Sequence, residues 1–302
     1  MYQTVHTSRS EFVPIRQLNY HVRLWGPETS SLPPLVLVHG WMDVAASYQF
    51  VVDAFGAAFM QDGASSPPTG GFWPHGAARA HRPLFFPDYL ADLDQLLDHY
   101  APNTPVDLVG HSMAATWPCS TPGAPGRIRR LVNLEGFGMP DNQPAKALAR
   151  SAEWMDQLKA LQRGEMALKT YDSVDGVARR LMKTNPASRR TRPTGWPRTG
   201  RSRCPGQWHI LGDAAHKITN AQLFRLEEAL AHYAAITAPT LAIEASDDSL
   251  GLWWKGRYTR EQYHERLQSV PDCRTAQVAD AGHMLHHDQP QAVAALIASF
   301  LD

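Results

Sequence analysis

The sequence predicts an α/β fold, a doubly wound and mostly parallel sheet with an inserted helical cap. Three observations carry this. Short continuous apolar runs, each ending in Gly, Ser or a polar turn, recur along the chain, as strands covered on both faces require. Amphipathic helical segments separate them. The length of 302 residues suits one large domain that carries an insertion.

Taken in order, "EFVPIRQLNYHVRLWG" at 11–26 reads as an opening hairpin. The strands of the sheet are "PPLVLVHG" (33–40), "PVDLVGHS" (105–112), "RLVNLEGF" (130–137), "PTLAIEAS" (239–246) and "RTAQVADAGH" (274–283). A crossover helix follows from "PDYLADLDQLLDHY", where Tyr89, Leu90, Leu93, Leu96, Leu97 and Tyr100 share one face and Asp88 stands where a cap belongs. A last helix, "DQPQAVAALIASFL", lines up Val293, Leu296, Ile297, Phe300 and Leu301, with Asp288 as its cap and Pro290 in its first turn. From 138 to 235 strand signals stop and helical ones continue. The core is therefore 1–137 with 236–302, and the cap is 138–235. Trp154, Tyr171, Trp208 and Tyr233 in the cap read as packing residues ahead of pocket lining.

Composition narrows the function. Lys+Arg and Asp+Glu both number 29, so no net field points to nucleic acid or an anionic membrane, and a small molecule is the expected partner. No basic leader with an apolar core opens the chain, and no stretch reaches the ~18 apolar residues of a membrane span, so a cytoplasmic address is expected. Cys119, Cys204 and Cys273 are odd in number and widely spaced, which fits reduced thiols and neither a disulfide framework nor a zinc site. Composition leaves the oligomeric state unknown.

The chemistry concentrates at strand ends. Gly110-His111-Ser112-Met113-Ala114 directly follows "VDLV" and has small residues two places either side of the serine, as a sharp strand-to-helix turn needs to project Oγ from the sheet. His39-Gly40-Trp41 ends "LVLV", so the backbone N–H groups of Trp41 and Met113 form a candidate oxyanion hole. Asp248 follows "TLAI" and His283 follows the last strand. A serine hydroxyl needs an imidazole to take its proton and a carboxylate to orient that imidazole. Ser112, Asp248 and His283 fill these roles on one rim of the sheet. Glu135, ending "LVNL", and Asp247 are the alternative acids. His283, His286, His287 and Asp288 lie close in sequence but read as a triad histidine followed by a polar helix start, so no metal is expected.

With these residues the chain resembles the α/β-hydrolase superfamily, in its lidded serine hydrolase and esterase branch. The resemblance spans nearly the whole length, through HGW at 39–41, GHSM at 110–113, the turn at Asp248 and AGHMLHHDQP at 281–290. It implies the order Ser, acid, His, an acyl-enzyme, and hydrolysis of a carboxylic ester, with a thioester, amide or activated C–C bond next and no cofactor. The competing expectation is a catalytically silent binding protein on the same fold.

Three stretches, 63–83, 114–126 and 187–206, are rich in Pro, Gly, Ser, Arg or Ala without periodicity. Each stands where the fold requires order. Codons for Met-Gly-Gly-Asn-Val-Ala-Leu that lose one G read Met-Ala-Ala-Thr-Trp-Pro, the residues at 113–118, and the other two stretches admit similar slips. The expectation is that compensating single-base shifts produced all three.

Overall fold

In the computed structural model, the described residues are 2–16, 18–27, 32–56, 85–116, 126–184, 200–204, 207–210 and 212–302. Stretch 63–83 and most of 114–126 and 187–206 lie outside them, and so does the question of shifted reading frames.

The chain opens with an antiparallel hairpin, β1 (Ser8–Ile15) and β2 (Leu18–Trp25). The central sheet is built from β3 (Leu35–Val38), β4 (Val106–His111), β5 (Ile128–Leu134), β9 (Thr240–Ala245) and β10 (Cys273–Val278). Their order across the sheet is β10-β9-β5-β4-β3, and every neighbouring pair is parallel. These are the five runs expected from sequence. β3, β4 and β9 are buried at every residue, which is why their sequences are continuous rather than alternating.

Alternation persists in which core each side chain enters. Val36, Val38, Leu108 and Leu131 face one cluster with the β1–β2 hairpin and Leu93, Leu96 and Leu97 of helix Phe86–Tyr100. Leu35, Leu37, Val109, Val132 and Leu134 face the other, with Val51 and Val52 of helix Gln49–Ala54 and Val293, Ile297 and Leu301 of helix Pro290–Leu301. Helices thus cover both faces. Burial of one such side chain is worth about 1.5–3 kcal/mol, so the two layers supply the core that a domain of this size needs.

Two helix starts differ from expectation. Phe85, not Asp88, is the N-cap of helix Phe86–Tyr100, and Asp88 reaches back to accept from Phe85 N at 2.9 Å. Asp288 does not cap the last helix, because its carboxylate accepts from Gly282 N at 3.0 Å and Gln289 is the N-cap. A buried N–H elsewhere wins it.

Between β5 and β9 lie helices Ala147–Gln162, Val174–Thr184 and Leu226–Ala234. A three-stranded antiparallel sheet, unforeseen from sequence, lies there too: β6 (Thr170–Tyr171), β7 (Gly200–Cys204) and β8 (Gln207–Ile210), in the order β6-β8-β7. β6 is two residues long and β7 reads GRSRC, so neither presents an apolar alternation to detect. This inserted segment leans on the core where Trp41 Nε1 donates to His216 O at 2.8 Å and Tyr89 Oη meets His216 Nδ1 at 2.6 Å.

Candidate active site

β4 ends at His111, and the next residue, Ser112, takes φ +55° before helix Met113–Thr116 begins. An L residue in the left-handed region is strained, and the surroundings hold this one in place. Ser112 N donates to Leu134 O at 2.8 Å, and Ala115 N returns to Ser112 O at 3.1 Å. The turn is tight enough that a Cβ on Gly110 would stand 2.7 Å from Ala114 O and 2.8 Å from Ala115 Cα. Glycine is therefore required before the serine, while Ala114 keeps its methyl among the buried apolar residues of the hairpin side.

The strand order decides what reaches Ser112. His283, in the loop after β10, sets Nε2 2.9 Å from Ser112 Oγ. Its Nδ1 lies 3.3 Å from Glu135 Oε2. Nε2 thus faces the serine hydroxyl while Nδ1 faces a carboxylate. The edge of Trp253 meets the same ring with centroids 4.2 Å apart. His111 Nε2 donates to His283 O at 2.8 Å and holds the loop from below.

Glu135 follows β5, the strand beside β4, and has φ +54°. Its side chain is fully buried; Oε1 accepts from Ala245 N at 2.7 Å, which leaves Oε2 for His283. Asp248, the acid preferred from sequence, is exposed and caps helix Ser249–Trp254 by accepting from Gly251 N at 2.9 Å. Asp247 is exposed as well. Neither is brought to His283. The reason is local competition: a short helix starts right after β9, and an Asp at its first position is recruited as the cap. Trp253 and His111 escaped sequence reading, though His111 stands inside the quoted motif.

Burial shapes the electrostatics. Desolvation pushes His283 down to about 3 and leaves it neutral at pH 7, with one ring nitrogen open to accept a proton. It pushes the Glu135 carboxyl up to about 7, with Asp248 adding to the rise and the Ala245 N–H, Ser249 and Arg260 opposing it. Met113 is the first residue of its helix, where a backbone N–H has no partner within the helix. Trp41 and Met113 both line a cavity of about 700 Å³ that opens over Ser112 and Glu135. Phe86, Phe137, Phe224 and Trp254 give it apolar walls, whereas Trp154, Tyr171, Trp208 and Tyr233 are not among its lining residues.

A family model described as "Alpha/beta hydrolase family" matches residues 35–296. The chain belongs to the α/β hydrolase family. No curated protein matches the hydrolase by sequence. Among solved structures, it is similar to a hypothetical protein from Pseudomonas aeruginosa PAO1, with 19% identity, TM-score 0.72 and coverage of 97% of this chain and 99% of that one. The thioesterase domain from the curacin biosynthetic pathway matches at 19% identity and TM-score 0.73 over 97% and 99% of the two chains. An esterase from Mycobacterium tuberculosis matches at 19% identity and TM-score 0.63 over 98% and 92%. At these identities the likeness is one of fold. No helix among the described residues of the hydrolase is long and apolar enough to cross a membrane.

Proposed function

We propose that this hydrolase cleaves a small-molecule carboxylic ester through an acyl-enzyme on Ser112. The observation that carries the reading is the unbroken contact from Ser112 Oγ to His283 Nε2 and from His283 Nδ1 to Glu135. His283 takes the hydroxyl proton as Oγ attacks the acyl carbon, then returns it to the departing alkoxide. Water repeats the cycle and frees the acid. Glu135 holds the ring orientation and offsets the imidazolium charge that develops. The N–H groups of Trp41 and Met113 receive the oxyanion. A cavity of about 700 Å³, with aromatic walls and with Arg150, Lys217, Arg225 and Glu228 also in its lining, suits a substrate of drug-like size. Esterases and a thioesterase among the structural neighbours favour acyl transfer over other chemistry on this fold. A thioester is the next substrate class.

The test is intact mass before and after a fluorophosphonate probe. One adduct that disappears in Ser112→Ala is expected; a folded protein that takes up no probe would turn attention to ligand binding without turnover.

A further inference from the structure

Outside the lining of the cavity lies a second group of polar side chains. Asp43, in the turn after β3, meets His286 and His287 of the short helix Leu285–Asp288. One ligand atom from each of the three lies within 4.8 Å of the others. Asp43 Oδ2 is buried and accepts no hydrogen bond, and it stands 3.9 Å from His286 Nε2. The hydroxyl of Ser47 sits between the rings, 3.0 Å from His286 Nε2 and 2.5 Å from His287 Nε2. A hydroxyl has one proton, so it donates to one ring and must accept an N–H from the other. Two imidazole nitrogens thus meet at one neutral oxygen, with an unpaired carboxylate oxygen beside them.

We propose that Asp43, His286 and His287 bind a divalent transition ion of the zinc type, and that the bound ion switches off the triad. Two His nitrogens and one carboxylate are a ligand set that zinc favours, with bonds of about 2.0–2.2 Å and a fourth position left for water. Ligand atoms around such an ion stand about 3.3 Å apart in a tetrahedron, so the group closes by side-chain rotation.

The link to the triad runs through ring contacts. His286 packs on His111 with centroids 4.4 Å apart, and His111 packs on His283 at 4.7 Å while holding its carbonyl. Drawing His286 and His287 onto an ion pulls the loop that carries His283 away from Ser112. This second half rests on the proposed hydrolase reading, and the first does not.

The experiment is calorimetric titration of the full chain with zinc chloride, in parallel with ester hydrolysis. One saturable site is expected, weakened at least tenfold by Asp43→Asn and by His287→Gln, with hydrolysis falling as the site fills. Ser47→Ala, which only removes the hydroxyl between the rings, keeps or strengthens binding and serves if the other variants do not fold. Absence of a saturable site, binding unchanged in both ligand variants, loss of binding in Ser47→Ala, or a filled site with undiminished turnover would overturn the proposal. Failure of the hydrolase reading looks different: no turnover before zinc is added, with the binding titration intact.

Discussion

Glu135 divides its carboxylate between two tasks, one oxygen fixed by the Ala245 N–H at 2.7 Å and the other turned to His283 Nδ1 at 3.3 Å. This separates it from Asp248. Glu135→Gln keeps the shape and the Ala245 contact but loses the charge opposite His283, and is expected to lower kcat by about 10²–10⁴-fold. Asp248→Ala is expected to leave kcat within about threefold and to cost about 1 kcal/mol of stability as a lost cap. Steady-state kinetics with a chromogenic ester and urea unfolding of both variants check the pair.

Ser112→Ala is expected to remove at least about 10³-fold of kcat while preserving the melting temperature, since alanine fits the same turn. Residual hydrolysis above that level in a purified sample would indicate a different nucleophile.

The pH profile follows from the shared proton of Glu135 and His283. The proposed mechanism needs neutral His283 and ionised Glu135, and burial raises Glu135 to about 7. Below that value the pair holds a proton that blocks it, so kcat/KM is expected to rise with pH and level off above about 7. A pH–rate profile on the purified protein measures this limb.

Stability carries a separate pH signature. His111, His283, His286 and His287 are all pushed far below their ordinary 6.5 by burial. Unfolded, they bind protons as pH falls through 6.5; folded, they refuse them, so their contribution is lost toward acid. Glu135 acts in the opposite sense, because between its ordinary 4.5 and about 7 the folded chain keeps a proton the unfolded one releases. Four rings outweigh one carboxyl. Thermal unfolding is expected to show a loss on the order of 3 kcal/mol from pH 7.5 to 5.5.

Much of this was written locally in the chain. The five sheet strands were legible because a parallel strand covered on both faces must be apolar throughout, and Ser112 and His283 because each sits in a short motif at a strand end. Which carboxylate meets His283 was not, since Glu135 and Asp248 both follow strands and the choice depends on strand order: β5 adjoins β4, and β9 stands one place farther off. Asp43 and His286 were equally hidden, as they are separated by most of the sequence and neither has a flanking pattern. The small sheet β6-β8-β7 left no trace because its strands are short and polar.

The bond from Glu135 to Ala245 joins positions 110 apart in sequence. β5 and β9 run parallel, so the chain between them leaves at the carboxyl end of β5, beside Glu135, and re-enters the sheet at Thr240, the opposite end of β9. The bond from Glu135 therefore clasps the carboxyl ends of two neighbouring strands. The carboxylate that faces His283 is held by the sheet itself, whatever the long connection between the strands contains.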